Sequence, residues 1–113
     1  MQPIVLANDL AVGKYAAEII FTELVRAAKE KRNFVLGCPG GRTPRSTYNA
    51  LSAMIKSNHQ DISHVTIAMM DEYLANNADG TYSNHTIDKH FSCTRFAKLE
   101  IFDVLNANAP EDG

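Results

Sequence analysis

Asn33-Phe34-Val35-Leu36-Gly37-Cys38-Pro39-Gly40-Gly41-Arg42-Thr43-Pro44 carries a short apolar run into a glycine-rich turn and out toward a helix-forming stretch. The run up to Leu36 halts at Gly37, which predicts a strand buried on both faces. Thr43 followed by Pro44 marks a helix start. The hydroxyl can cap free backbone N–H groups, and proline at the first helical position has no donor to lose. Tyr48, Leu51 and Ile55 then recur at helical spacing, so the spacing predicts a helix from Pro44 to Lys56. A strand that turns so tightly into a helix aims the helix's first N–H groups and positive dipole end at the loop, while Gly40 and Gly41 keep side chains out of the way. A small phosphorylated ligand fits such a cradle, although a ligand-free tight turn uses glycine in the same way. A nucleotide P-loop places Lys and then Ser or Thr after its last glycine, where this chain has Arg42 and Thr43. The third glycine of a dinucleotide motif falls at Pro44. Both mismatches argue against ATP, GTP and NAD.

The neighbouring segments repeat the alternation. Ile4-Val5-Leu6 reads as a first strand, and Asn8 or Asp9 caps a helix to Lys31 with Leu10, Ala17, Ile20, Leu24 and Ala28 at helical spacing. After the polar loop Ser57 to Asp61, Val65 to Met70 reads as a third buried strand. The order βαβαβ predicts an α/β fold: a Rossmann-like three-layer α/β/α arrangement with a mostly parallel sheet and helices on both faces, one domain over residues 1–113. Further on, Ala75 to Gly80 reads as a loop, Tyr82 to Phe91 as a short helix and Glu100 to Leu105 as a fourth strand. The tail Asn106 to Gly113 is linker-like and stands where another helix would be expected, so the fold reads as truncated at its C-terminus.

Composition narrows the function classes. The formal net charge of -2 offers no broad basic surface for nucleic acid. No apolar run approaches a membrane span, and the amino terminus lacks the pattern of a signal peptide, so the expectation is a cytoplasmic protein. Cys38 and Cys93 have no metal-like spacing and read as reduced thiols, Cys38 as a small packing residue.

In an open parallel sheet, ligands bind at the carboxyl ends of the strands. That rule sets the loop beside Asp71-Glu72-Tyr73 at the end of the third strand. Adjacent residues there point in opposite directions, so one carboxylate can face a cleft while the other supports the loop. A carboxylate beside a bound sugar phosphate can act as a general base next to a carbonyl; it can equally tighten a turn. The histidines are weaker candidates. His59 and His64 flank a polar loop and read as exposed, and His85 and His90 are five apart, which does not make a helical metal pair. Ser83, Asn84 and His85 could touch a substrate or cap a helix.

Three motifs together carry a resemblance: Leu-Gly-x-Pro-x-Gly-x-Thr-Pro at Leu36 to Pro44, Met-Asp-Glu-Tyr at Met70 to Tyr73, and Asn-x-Asn-Ala-Pro at Asn106 to Pro110. In that order they resemble the glucosamine-6-phosphate deaminase (isomerase) and 6-phosphogluconolactonase family over nearly the whole chain. The resemblance implies that Gly40, Gly41 and Thr43 hold a sugar phosphate, with Arg42 and Glu72 as further substrate-binding residues. It implies that Asp71 moves the proton at carbon 2. The implied reaction converts glucosamine 6-phosphate to fructose 6-phosphate and ammonia without a metal or organic cofactor, in a protein expected to form homo-oligomers. Arg42 and Ser83-Asn84 lean toward the lactonases, Asp-Glu-Tyr toward the deaminases, and Met69 replaces an asparagine usual in the deaminases. The family's Asp-Gly-His segment is absent from this chain, which therefore resembles the N-terminal part of the enzyme and is expected to lack turnover by itself.

Overall fold

The computed structural model describes residues 2–89 and 92–107. Helix α1 spans Asp9–Lys29 and opens where the Asn8 side chain accepts the Ala11 N–H at 2.9 Å, closing one of the free donors of its first turn. Strand β1, Phe34–Cys38, follows, then helix α2, Arg45–Asn58, and strand β2, Val65–Met69. The two strands pair in parallel, from Phe34 opposite Val65 to Cys38 opposite Met69. A parallel pair needs a crossover, and α2 supplies it.

Side chains alternate across this small sheet. Leu36 and Cys38 are buried and Phe34, Val65, Ile67 and Met69 pack beside them, whereas Val35 is 64% exposed and Gly37, Thr66 and Ala68 also face outward. The inward face meets Ala17 and Leu24 of α1, Tyr48, Leu51 and Ile55 of α2, and Ile101 and Leu105 from the carboxyl-terminal part. Full burial of each large aliphatic side chain contributes roughly 1.5–3 kcal/mol of transfer free energy. All the described helices thus share one face, and of the three expected layers the described residues build a sheet and one helical layer. The expectation that the strands are buried on both faces is corrected accordingly: a strand with cover on one side only becomes alternating.

Three other local expectations are also corrected. Ile4-Val5-Leu6 is not a strand; Val5 is 89% exposed and no described strand pairs with the segment, so apolar content alone has no ladder to join. Leu74–Asn76 (β3) and Tyr82–Asn84 (β4) form an antiparallel hairpin in place of a loop and a helix start. Its turn uses Gly80 at φ 84°, with the Gly80 N–H donating to the Asn77 carbonyl at 3.1 Å. The remainder of the expected helix includes His90 and Phe91, outside the described residues.

The expected strand at Glu100 to Leu105 is helical. Helix α3 (Cys93–Phe96), a π-helical stretch (Ala97–Phe102) and helix α4 (Asp103–Asn106) run on without a break. Phe96, Ile101 and Leu105 all turn to the core, at spacings of five and then four. In a regular α-helix a step of five would swing Ile101 about 140° away from Phe96. The wider π turn absorbs one residue and brings both onto one side. Lys98 and Asp103, also five apart, pair at 3.0 Å across the same turn.

Candidate functional site

At the carboxyl ends of β1 and β2 lies a cleft of about 450 Å³ with three walls. Pro39, Gly40 and Gly41 form the loop wall, Met70, Asp71 and Tyr73 the strand-end wall, and Ser92, Cys93 and Phe96 the third. The loop is held from below. The buried Tyr48 hydroxyl donates to the Pro39 carbonyl at 3.0 Å, and the Met70 N–H donates to the Cys38 carbonyl at 3.2 Å, tying the loop wall to the strand-end wall. Burial pushes both the Tyr48 phenol and the Cys38 thiol upward, so neither ionises near neutral pH, and Cys38 packs as expected. Gly41 has φ 88°, a conformation that a residue with a Cβ rarely adopts.

The cleft joins Gly40, Gly41 and Asp71, the core of the sequence reading. Arg42 and Thr43 are exposed and do not line it. Helix α2 starts one residue later than expected: Pro44 occupies the cap position, with no side-chain cap, and Thr43 does not serve as one. The amino end of α2 therefore has no side-chain acceptor of its own, as an anion-receiving helix end requires.

Glu72 departs from its expected role in substrate binding. Its carboxylate turns away from the cleft and accepts the N–H groups of Tyr73 (2.9 Å), Cys93 (2.7 Å) and Thr94 (2.8 Å), together with the Thr94 hydroxyl (2.9 Å). These bonds, the Cys93 N–H foremost, hold its pKa down to about 2. A carboxyl depressed by folding stabilises the chain fully above its ordinary pKa of about 4.3, and this contribution fades as pH falls toward about 2. Screening by water keeps the contribution below what the shift alone would suggest. The strand-end alternation thus separates the two carboxylates, Asp71 toward the cleft and Glu72 toward the protein.

Ser92, Cys93 and Phe96 of the third wall fall between the helix expected at Tyr82 to Phe91 and the strand expected at Glu100 to Leu105, where the sequence reading places no element. The wall's signal was Ser92, whose hydroxyl accepts the Arg95 N–H at 3.2 Å as a helix cap. A second tie lies farther along, where Arg45 in the first turn of α2 forms a two-pronged ion pair with Glu100, both contacts at 3.0 Å. Cys93 is partly buried, and burial with the nearby Glu72 and Asp71 charges raises its thiol pKa, the opposite of an activated nucleophile. His64 is half-buried, its Nε2 3.0 Å from the Leu24 carbonyl, which corrects the expectation of an exposed ring. Among the described residues no cluster of three His, Cys, Asp or Glu could hold a metal ion, and no helix is long and apolar enough to cross a membrane.

Comparison with known proteins supplies the lineage. The family described as glucosamine-6-phosphate isomerases/6-phosphogluconolactonase matches residues 7–112. The chain belongs to this family. The glucosamine-6-phosphate deaminase of Serratia proteamaculans (strain 568) is 36% identical over 114 aligned residues, covering 98% of this chain. The enzyme of the same name from Proteus mirabilis (strain HI4320) is 34% identical over 113. The chain spans 42% of the length of each of these relatives. A crystal structure from Neisseria gonorrhoeae FA 1090 that carries the name 6-phosphogluconolactonase shares the fold, with a TM-score of 0.66 at 24% identity over 92% of this chain and 39% of its own. Family membership accounts for the three sequence motifs lying in one order along one chain.

Proposed function

We propose that the cleft is the sugar-phosphate site of a glucosamine-6-phosphate deaminase (isomerase), with Asp71 as the base that moves the proton next to the substrate carbonyl. The observation that carries this reading is the meeting of Gly40 and Gly41 with Asp71 in one cleft, at the strand ends where this class of sheet binds ligands. In it, the phosphate docks on the backbone N–H groups of the loop and the uncapped start of α2, with Thr43 and Arg42 as outer contacts. The sugar's carbonyl end then lies over Asp71, within reach for proton transfer. A lactonase is the second reading, favoured by Gly40-Gly41-Arg42-Thr43-Pro44, and it uses the same phosphate cradle. The reaction belongs to the cytoplasm and needs no cofactor in either reading.

The chain contains no Asp-Gly-His segment, so purified material of this sequence is expected to bind sugar phosphate without turning it over. Heat-induced unfolding tests the binding. A ligand at a hundredfold excess over its Kd stabilises the fold by about 2.7 kcal/mol, which reads as a rise in Tm. Glucosamine 6-phosphate, 6-phosphogluconate and inorganic phosphate are each expected to raise it, and Thr43→Ala to shrink the rise. No shift with any of the three would sink the site, and a measurable deaminase or lactonase rate would sink the expectation of inactivity.

We also propose that the chain self-associates. Strands β1 and β2 pair only with each other among the described strands, which leaves their outer edges open. Sedimentation velocity is expected to show species larger than the monomer, and a monomer at all concentrations would refute this.

A further inference from the structure

Resting on the site assigned above, we propose that Glu72 is a positioning residue whose carboxylate sets the spacing between Asp71 and the helical wall of the cleft, and so the shape offered to the sugar. The bonding is complete at the helix end. The first three N–H groups of the run that starts at Cys93 have no partner within their own helix. Glu72 takes those of Cys93 and Thr94, and the Ser92 hydroxyl takes that of Arg95. Glu72 also accepts the N–H of Tyr73, its own neighbour on the strand-end wall. One side chain therefore grips both walls across about twenty residues of intervening chain, most of which forms the β3–β4 hairpin and its flanks. A negative charge at a helix amino end is favoured by the dipole as well.

The grip has a visible result inside the cleft. Cys93 follows the cap, lines the cleft, and carries its Sγ 4.0 Å from Asp71 Oδ1. If Glu72 served only as a helix cap, weakening it would lower the unfolding midpoint and leave the folded cleft as it was. A positioning residue changes the cleft in molecules that are still folded.

Cys93 reports the difference, because Cys38 is buried and stays silent in the folded chain. Glu72→Asp keeps the charge and withdraws the carboxylate by one methylene, too short to hold both walls. Labelling with a small maleimide across about pH 7 to 10 separates a change in thiol pKa from a change in access. The expected result is a rise of about fivefold or more in the pH-independent rate at Cys93, set by local opening of the wall. An unchanged rate in Glu72→Asp would overturn the proposal. Should both thiols react, the variant is unfolded, and Thr94→Val takes over the test. It removes one of the four bonds, and faster labelling of Cys93 alone supports the positioning role while an unchanged rate overturns it.

A parallel arm with glucosamine 6-phosphate keeps the two readings apart. In the unaltered chain the ligand is expected to slow labelling of Cys93, and Glu72→Asp to weaken that protection. Absence of protection in the unaltered chain counts against the sugar-phosphate site, whereas the ligand-free rates judge Glu72 independently.

Discussion

Leu51→Ala is expected to cost about 2–5 kcal/mol of folding stability, the range for emptying a leucine-sized space in a core. Leu51 is fully buried on the inner side of α2, in the one cluster that also holds Leu24 of α1, Leu36 of β1 and Ile101 and Leu105 of the carboxyl-terminal helical run. Among the described residues helices cover one face of the sheet, so no second described core compensates when this one is weakened. An ordinary domain is stable by about 5–15 kcal/mol in total, so the substitution removes a large share. Urea unfolding followed by circular dichroism is expected to show a lower midpoint with an unchanged slope. Val35→Ala is the control, because Val35 lies on the open face at 64% exposure and is expected to change stability by no more than about 0.5 kcal/mol. A loss below about 1 kcal/mol for Leu51→Ala would mean that the helices close over the gap and that the core is looser than its packing indicates.

What the sequence disclosed follows from which signals are local. The apolar period of α1 and α2, and a cap at Asn8 or Asp9, are written in nearby residues, and both helices form within two residues of the expected ends, with Asn8 as the cap. The strand–loop–helix unit around Gly40 and Gly41 was legible for the same reason, and the rule that ligands sit at strand ends joined it to Asp71. The failures occurred where a neighbour decides. Ile4-Val5-Leu6 has strand composition without a described strand beside it. Ile101 and Leu105 reach the core only because a π turn absorbs the five-residue step from Phe96, which neither a 3.6 nor a 2.0 period describes. The bonding of Glu72 is not legible in the sequence because its partners, Cys93 and Thr94, are more than twenty residues away. Alternation at the strand end did indicate that Asp71 and Glu72 would divide their work; only the fold reveals that the second task is to hold a helix.

Gly13→Ala is expected to destabilise the chain by about 1–3 kcal/mol, the cost of forcing an extra carbon into a packed contact. Helix propensity argues for the opposite sign, since alanine inside a helix is favoured over glycine by about 1 kcal/mol. Position decides between them. Gly13 is buried where α1 crosses α2, and a Cβ built there would stand 2.7 Å from both the Cβ and the backbone carbonyl carbon of Ser46. A side chain could rotate away; backbone in the first turn of α2 cannot, so the helices must separate. Ser46→Gly in the same chain is therefore expected to restore only part of the loss, because it removes the Cβ and hydroxyl and leaves the backbone carbon in place. The consequence extends to the cleft. Ser46 lies three residues beyond Thr43 and donates its hydroxyl to the Asp9 carbonyl at 3.2 Å, so the α1–α2 contact fixes where the amino end of α2 points. Gly13→Ala is accordingly expected to shrink the rise in Tm given by glucosamine 6-phosphate, while Leu51→Ala lowers the starting Tm and leaves that rise intact. A urea midpoint that moves upward in Gly13→Ala would show that the helices part at little cost, and the fixed position of the amino end of α2 would then need another cause.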